Sequence, residues 1–342
     1  MRDSNADDLT AMADLLTPLA IRVAATLRLA DHMAAGATTG TGLAKEAGAH
    51  PATLKKLLRY LVSRGIFRWS EERGYEVTDL GAPLLDDAPG SVRRKLSMDG
   101  LLGLAELGLV GLLHTVRTGE AGYKAAFGRD FWQDVSDVPD DANVLAEEVA
   151  SGLAGDGQLI VHAYDWLGVR RVMDVGGGNG TLLIELARTH PHLHGAVLDL
   201  PGMARAAAQR IDQAGLADRC EAIEGSFLDP IPPGFDVYLL SAILCDWPDD
   251  DAVKILRRCG EAAGADGRVL VADMNLIYDD DGDAARMNLL LTGTVPVPVR
   301  TLKQLKRLGT AAGLELSWEG PTTRRRTLLE FRADLSGLIY PR

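Results

Sequence analysis

The sequence predicts an α/β protein, in which a doubly wound, mostly parallel sheet follows a helical domain containing a winged helix. From residue 170 onward, short apolar segments typical of buried strands alternate with helical segments. Upstream, residues 41–85 read helix, turn, helix and hairpin, which is a winged-helix pattern. We therefore expect a winged-helix domain over 1–98, a helical segment over 99–165 and a sheet domain over 166–342.

The N-terminal helices of this domain expose more apolar surface than they can bury alone. Residues 8–35 place aliphatic side chains at helical spacing with few charges between them. Because no strand precedes them, this surface needs a partner, and a second copy of the chain is the simplest one. The pattern predicts a homodimer formed through the N-terminal domain.

The winged helix also raises a DNA-binding hypothesis. Lys55, Lys56 and Arg59 lie on its second predicted helix, but Glu71 and Glu72 occupy the wing tip. Phosphate binding needs a clearly basic face, which this segment lacks. A dimerising role without nucleic acid is therefore favoured, and a ligand-sensing DNA-binding protein is kept as an alternative of another class.

Composition favours a soluble, cytoplasmic protein. The 342 residues carry a net charge of −12 with a pI near 5.1, which disfavours general polyanion binding. The three cysteines form no CxxC pair, which suggests a reducing compartment. The acidic N-terminus lacks a signal-peptide pattern, and no uninterrupted apolar run reaches the ~18 residues of a membrane span.

The sheet domain follows from segments typical of strands that end in polar or glycine-rich turns. These segments are RRVMDVG (170–176), GAVLDL (195–200), CEAIEG (220–225), FDVYLLSAIL (235–244) and GRVLVADM (267–274). Helical segments separate them, as a parallel sheet requires. Arg324 to Arg326 are predicted to turn between the last two strands.

The segment VMDVGGGNGTLLIELA (172–187) predicts a ligand-binding loop. Its glycines allow a sharp turn and a close approach of the backbone, and a helix N-terminus follows. The spacing differs from a GxGxxG dinucleotide loop. Asp174, two positions before the first glycine, would repel pyrophosphate but suits a ligand with a cationic amino-acid end.

Two further side chains complete this cofactor site. Asp199 lies about 20 residues past the glycine loop, where an acid accepts hydrogen bonds from a ribose diol. Phe227 follows the third strand and is placed to stack on a purine. With the glycine loop and Asp174, these residues predict an S-adenosyl-L-methionine (SAM) site. The alternative is a similar sheet that binds an unrelated ligand.

At these motifs the chain resembles the class I small-molecule O-methyltransferases, which join a winged-helix dimerisation domain to a Rossmann-like SAM-binding domain. AYDWLGVRRVMDVGGGNG (163–180), GSFLDPIP (225–232) and DWPDDDAVKILRRC (246–259) carry the resemblance. FWQDVSD (131–137) and VRT (299–301) look most like the anthracycline-tailoring branch. That branch contains carminomycin-type 4-O-methyltransferases and aclacinomycin 10-hydroxylase, which binds the cofactor without methylating.

The resemblance implies a homodimer and a set of cofactor-binding residues. That set is Gly176, Gly177, Gly178, Asp199, Ser226, Phe227 and Ser241. With Asp174 and Leu200, it makes up the predicted cofactor site. The family usually has Asp where this chain has Ser226, so contact with the adenine amino group is expected to differ. VPVP (295–298) extends the loop before Arg300, which borders the acceptor pocket in the family.

The catalytic position departs from the family in SAILCDWPDDDAVKIL (241–256). Most relatives have His-Asp-Trp, and the His deprotonates the acceptor. Here Cys245 replaces the His, and Val299 replaces its usual partner Glu. Cys245 is predicted either to pack beside the pocket or to act as a thiolate base. Asp246 is predicted either to assist the acceptor as catalytic residue or to cap a helix over 248–258.

The remaining predictions concern the acceptor and metals. Phe131, Trp132, Met287 and Asn288 are our candidates for the acceptor pocket, with core packing as the alternative for the first three. HPHLH (190–194) lacks further ligands at metal spacing, so no metal is expected.

Together these features predict a SAM-dependent O-methyltransferase of a phenolic or polycyclic secondary metabolite in antibiotic biosynthesis. It would act by proximity and orientation without the usual His. Loss of the His–Glu pair motivates an alternative, in which the scaffold binds SAM but performs hydroxylation or decarboxylation.

Overall fold

The structure is a computed structural model that describes residues 4–137, 156–274, 282–295, 300–323 and 326–333. It divides into two compact units, Met1–Leu107 and Gly108–Arg342. The three-part division at 98 and 165 stays a proposal.

The first unit has the winged-helix order that the sequence predicts. Its helices are α1 (Ser4–Met12), α2 (Leu16–Thr26), α3 (Leu29–Ala34), α4 (Gly40–Glu46), α5 (Pro51–Ser63), α6 (Arg93–Leu96) and α7 (Leu101–Leu107). The wing is an antiparallel hairpin of β1 (Phe67–Ser70) and β2 (Gly74–Val77). The Thr39 side chain caps α4 by accepting the Gly42 N–H at 3.0 Å.

Apolar side chains of this unit are divided between a core and an exposed surface. Leu43, Leu58 and Leu61 are fully buried at the centre of the core. Met12 and Leu15, by contrast, are 84% and 69% exposed near the N-terminus. Exposed apolar surface of this kind is typical of an interaction site.

Two described helical stretches are long and apolar enough to cross a membrane when judged only by length and composition. They are Asn5–Thr26 and Arg93–Thr118. Both contain interspersed polar residues, which is why neither is an uninterrupted apolar run. This criterion is weak, since helices of globular proteins also satisfy it.

The second unit is a layered α/β structure. Its helices are α8 (Leu112–Thr118), α9 (Gly122–Phe127), α10 (Phe131–Asp137), α11 (Asp156–Ala163), α12 (Thr181–Thr189), α13 (Pro201–Gln213), α14 (Asp249–Ala263), α15 (Gly282–Thr294) and α16 (Leu302–Ala311). Its strands are β3 (Arg171–Val175), β4 (His194–Asp199), β5 (Cys220–Glu224), β6 (Val237–Ser241), β7 (Arg268–Met274), β8 (Leu314–Thr322) and β9 (Arg326–Ala333).

These strands form one sheet in the order β5-β4-β3-β6-β7-β9-β8. Strands β3 to β7 run parallel, whereas β9 is antiparallel to both β7 and β8. Val237 to Leu240 of β6 are all fully buried because separate apolar clusters cover the two faces of the sheet. The predicted doubly wound, mostly parallel sheet is confirmed.

The strand order creates a switch point between β3 and β6. From β3 the chain proceeds outward to β4 and β5, then crosses to the other side of β3 to form β6. Loops at the carboxyl ends of β3 and β6 therefore diverge, and such a crevice is where α/β proteins bind ligands. The glycine loop follows β3, and the Cys245–Asp246 segment follows β6.

Candidate active site

The glycine loop is shaped by contacts that leave no room for side chains at two positions. Gly176 has φ +72°, and a Cβ there would lie 2.5 Å from Ile243 Cδ1 and 3.2 Å from Phe227 Cε1. At Gly177 a Cβ would lie 2.6 Å from the Asp174 carboxylate. The loop therefore packs closely against Asp174, Phe227 and the chain that follows β6.

Asp174 lies beneath this loop with its charge unsatisfied. Its side chain is 1% exposed, and neither carboxylate oxygen accepts a hydrogen bond from the described residues. Burial, followed by the charge of Asp199, raises the pKa of Asp174 to about 7. A buried carboxylate without donors is costly unless a ligand supplies them, and a cationic group is the best suited.

Asp199 lies at the carboxyl end of the neighbouring strand, β4. It accepts the N–H of Gly178 at 2.8 Å and the N–H of Leu200 at 2.7 Å. Burial raises its pKa to about 6, although these two hydrogen bonds oppose the rise. The carboxylate is thus oriented by the glycine loop itself, and its further lone pairs can accept hydroxyl donors.

The expected adenine-side residues lie beside the loop. Phe227 packs perpendicular to Trp247, with ring centroids 5.5 Å apart. The Ser226 hydroxyl accepts the Leu228 N–H at 3.2 Å, which turns the chain after β5. Ser241 ends β6, and its hydroxyl lies 3.4 Å from the Nη1 atom of Arg326, which donates to it.

The Cys245–Asp246 segment is a 3₁₀ turn over Leu244–Asp246, followed by Trp247 and Pro248. Helix α14 begins at Asp249 with Pro248 at its N-cap position and no side-chain cap. The prediction that Asp246 caps this helix is therefore wrong, because two residues and a change of direction separate them. Asp246 is left available for the site.

Cys245 is held as a thiol. It is 6% exposed, and its thiol donates to Asp246 Oδ1 at a sulfur–oxygen distance of 3.6 Å. Burial and the nearby charges of Asp246 and Asp273 raise the pKa of Cys245 well above its ordinary value. This environment disfavours the thiolate base and favours a buried packing residue that also donates a hydrogen bond.

Asp246 gains basicity from the same surroundings. Burial, and then the charge of Asp273, raise its pKa to about 7, while the Cys245 hydrogen bond acts in the opposite direction. An aspartate in an ordinary environment has a pKa of ~3.9 and is a weak base. A carboxylate that titrates near pH 7 is far better matched to deprotonating a phenol.

Sequence reasoning missed Asp273, at the end of β7. This 2% exposed carboxylate accepts the backbone N–H of Cys245 at 3.2 Å and so fixes the turn to the sheet. No local motif identifies it, because its role depends on the pairing of β6 with β7. The only available signal was a carboxylate at the end of a buried strand.

Two arginines also contribute to the site. Arg326, which the sequence placed in a turn, instead begins β9 and donates to the Ala272 carbonyl at 2.6 Å. Arg300 contacts the 3₁₀ turn directly, through the carbonyls of Leu244 and Trp247. The Val299 position, where the family Glu is absent, lies outside the described residues.

The acceptor candidates lie on two helices. Phe131 and Trp132 begin α10, and their rings are 5.3 Å apart. Helix α10 packs against α13, the helix that follows Asp199, and the Nε1 atom of Trp132 is buried without an acceptor among the described residues. Met287 and Asn288 lie on α15; Asn288 is half-buried, whereas the Met287 side chain is outside the described residues. Their role in acceptor binding stays a proposal.

The HPHLH segment has a structural explanation. The Nε2 atom of His190 donates to the Val161 carbonyl at 3.0 Å, and that of His192 donates to the Trp166 carbonyl at 2.9 Å. These contacts attach the segment to α11 and the loop after it. No group of three or more metal-ligating side chains occurs among the described residues.

Comparisons with known proteins agree with this architecture. A model of the O-methyltransferase domain matches residues 110–315, and a model of the O-methyltransferase dimerisation domain matches residues 10–87. The 2,7-dihydroxy-5-methyl-1-naphthoate 7-O-methyltransferase of Streptomyces carzinostaticus is 42% identical over 306 residues, covering 90% of this chain and 92% of that protein. The aclacinomycin 10-hydroxylase of Streptomyces purpurascens is 40% identical over 337 residues, covering 94% and 89%.

A solved structure supports the same assignment. The O-methyltransferase from neocarzinostatin biosynthesis, in complex with S-adenosyl-L-homocysteine (SAH), superposes with a TM-score of 0.83 at 40% identity. The match covers 94% of this chain and 99% of that one. The resemblance inferred from the sequence motifs is confirmed, and the chain belongs to the O-methyltransferase family.

Proposed function

We propose that this SAM-dependent O-methyltransferase methylates a phenolic hydroxyl of a polycyclic aromatic metabolite, with Asp246 as the base. The observation that carries the proposal is the position of Asp246, a carboxylate with a pKa of about 7 on the turn that follows β6. Ile243 and Trp247, which flank this turn, contact the glycine-loop region through Gly176 and Phe227.

The cofactor site fits SAM by the chemistry of its residues. Asp174 offers two buried oxygens without donors to an ammonium group, and Asp199 offers lone pairs to a ribose diol. The Phe227 ring supplies an apolar face beside the loop, and Gly176 and Gly177 permit close approach of the ligand. When bound, SAM supplies a methyl group already activated by its sulfonium.

Side chains of this protein remove the proton of the acceptor hydroxyl. Asp246 accepts the proton of the acceptor hydroxyl, and the Cys245 thiol stabilises the carboxylate form by donating to it. Because the pKa of Asp246 is about 7, the competent carboxylate fraction increases as the pH rises through that value. Alignment of the acceptor hydroxyl with the methyl group lowers the remaining activation barrier, since proximity contributes about 7–11 kcal/mol at best.

The acceptor class follows from the relatives and from the missing imidazole. The relatives named above act on a dihydroxy-methyl-naphthoate and on aclacinomycin, and a third is the mitomycin biosynthesis 6-O-methyltransferase of Streptomyces lavendulae. A carboxylate base suits a phenol better than an aliphatic alcohol. Antibiotic biosynthesis is therefore the proposed context.

We further propose a homodimer in the cytoplasm that binds neither nucleic acid nor membrane. A dimerisation domain matches residues 10–87, and apolar side chains such as Met12 and Leu15 are exposed there. A second copy covering this surface would account for the apolar character of the Asn5–Thr26 stretch.

A second candidate is a SAM-binding enzyme that does not methylate. It is favoured by 40% identity to aclacinomycin 10-hydroxylase together with Cys245 at the family's His position. Such an enzyme would keep the Asp174 and Asp199 contacts while performing hydroxylation or decarboxylation.

Incubation with methyl-labelled SAM and a panel of hydroxynaphthoic acids and anthracyclinones separates these candidates. We expect wild-type protein to transfer label to the product. The Asp174→Lys variant should transfer none, because a positive charge replaces the carboxylate proposed to bind the ammonium group of SAM. Turnover that consumes oxygen or releases carbon dioxide without labelled product would contradict methylation. The Asp250→Lys variant, at an exposed aspartate on α14, serves as the matched control.

A further inference from the structure

We infer that Arg300 is a positioning residue, which holds the turn bearing Cys245 and Asp246 in the orientation that methyl transfer requires. The inference rests on the proposed role of Asp246 as base. The observation that suggests it is a buried guanidinium that contacts backbone at both ends of this turn.

The contacts of Arg300 surround the turn. Its Nη1 atom donates to the Leu244 carbonyl, and its Nη2 atom donates to the Trp247 carbonyl at 2.5 Å. Its Nε atom donates to Asp249 Oδ1 at 2.8 Å. One planar group therefore joins the beginning of the turn, its end and the start of α14, which is a task suited to the rigid donor fork of arginine.

The burial of Arg300 and its partners shows which of its contacts hold the turn most strongly. The Arg300 side chain is 3% exposed, whereas that of Asp249 is 66% exposed. The pairing with Asp249 is thus screened by solvent, as surface ion pairs are. The two carbonyls accept from a buried, charged donor. The Leu244 carbonyl also accepts the Trp247 N–H at 3.2 Å, so losing the guanidinium removes a charge-assisted hydrogen bond there and takes away the side-chain donor of the part-buried Trp247 carbonyl.

The opposite side of the turn is held by the sheet. The Cys245 N–H donates to Asp273, and the Ala242 N–H donates to the Ala272 carbonyl at 3.1 Å. Ala242 has φ +56°, a left-handed conformation that is unfavourable for a residue with a Cβ. Strained residues persist only where the surroundings hold them, and they cluster at functional sites.

The turn is therefore fixed through its donors by β7 and through its acceptors by Arg300. Removing Arg300 releases only the second set of contacts. We expect Asp246 to keep its chemical identity but to lose its alignment with the acceptor. A displacement of about 1 Å at a reacting group costs roughly 100-fold in rate.

Kinetics provide the first test, using the full-length protein. Arg300→Met should lower kcat about 100-fold with KM changed less than about three-fold, and Arg300→Lys should restore about a tenth of the wild-type kcat. Asp249→Asn should cost less than about three-fold, because its partner retains both carbonyls. Arg307→Met is the matched control, because Arg307 is an exposed arginine on α16, the helix that follows Arg300.

A readout independent of activity comes from Trp247. Protein labelled with 5-fluorotryptophan gives a ¹⁹F resonance for this residue, identified by its loss in Trp247→Phe. Arg300→Met should shift or broaden the Trp247 resonance, while those of Trp166 and Trp318 stay in place. Arg307→Met should leave all three unchanged.

The two measurements distinguish the inference from the proposed function. If wild-type protein transfers no methyl group but Arg300→Met still perturbs Trp247, the proposed function fails and the positioning role of Arg300 stands. An unperturbed Trp247 resonance overturns the inference. It is also overturned if Arg300→Met raises KM with kcat unchanged, since Arg300 would then contact the acceptor directly.

Discussion

Replacing Asp174 with Asn should weaken cofactor binding and at the same time stabilise the ligand-free protein. The carboxylate is buried, accepts no hydrogen bond from the described residues and has its pKa raised from 3.8 to about 7. No described residue offsets the cost of this charge, and we propose that the cofactor does.

The magnitude follows from that rise in pKa. Each unit corresponds to about 1.4 kcal/mol, so the charged form costs folding on the order of 4 kcal/mol. The pKa of Asp174 is higher in the folded state than in the unfolded state, so folding is more favourable when this carboxyl is protonated. That contribution to stability is fully present below pH ~4 and is lost as the pH rises to about 7. Asn removes the charge but leaves a buried amide without a hydrogen-bond partner, which lowers the stability by about 1–3 kcal/mol.

The net expectation for Asp174→Asn at pH 8 is a gain of about 1–3 kcal/mol in the free energy of unfolding of the ligand-free protein. Thermal unfolding at pH 5 and pH 8 measures it, and the gain should be smaller at pH 5. Calorimetric titration with SAH should show about 100-fold weaker binding, from the loss of a charge-assisted hydrogen bond. Asp212→Asn, exposed on α13, is the control. Wild-type SAH affinity in Asp174→Asn would refute the reasoning.

Three further predictions follow from the same structure. Cys245→Ala should lower kcat less than about ten-fold. It should also move the midpoint of the pH–rate profile upward, because Asp246 loses a hydrogen bond that lowers its pKa. An unchanged midpoint would contradict this. Gly177→Ala should abolish measurable SAH binding in calorimetry, since its Cβ would lie 2.6 Å from the Asp174 carboxylate, and retained binding argues against the loop geometry. Met12→Glu should shift the protein toward monomer in analytical ultracentrifugation, whereas an unchanged mass would remove this surface from the interface.

Much of the fold could be predicted because its signals are local. The winged helix, the parallel strands and the glycine loop depend on periodicity, turn residues and spacing along a short stretch of chain. Asp174 and Asp199 were found for the same reason, as acids at fixed distances from the glycines. Their unusual pKa values could not be predicted, because burial depends on the packed sheet.

The turn that carries Cys245 and Asp246 shows where local signals fail. Asp246 has the sequence context of a helix cap, yet Trp247 and Pro248 redirect the chain before α14 begins. Asp273 and Arg300 lie 28 and 55 positions beyond Cys245, and only the tertiary structure brings them to it. The sequence therefore predicts Asp246 as a candidate, but it does not predict the groups that raise its pKa and hold its turn.

The most direct test of the central claim compares wild type with Asp246→Asn on phenols of graded acidity. If Asp246 removes the acceptor proton, the single-turnover rate of methyl transfer in wild type should depend only weakly on the pKa of the phenol. The rate should also rise with pH, with the midpoint of the pH–rate profile near 7. In Asp246→Asn the rate should fall about 100-fold or more for weakly acidic phenols, and the most acidic phenols should recover most of it. Equal losses for all phenols, or an unchanged pH profile, would contradict the assignment of Asp246 as the base.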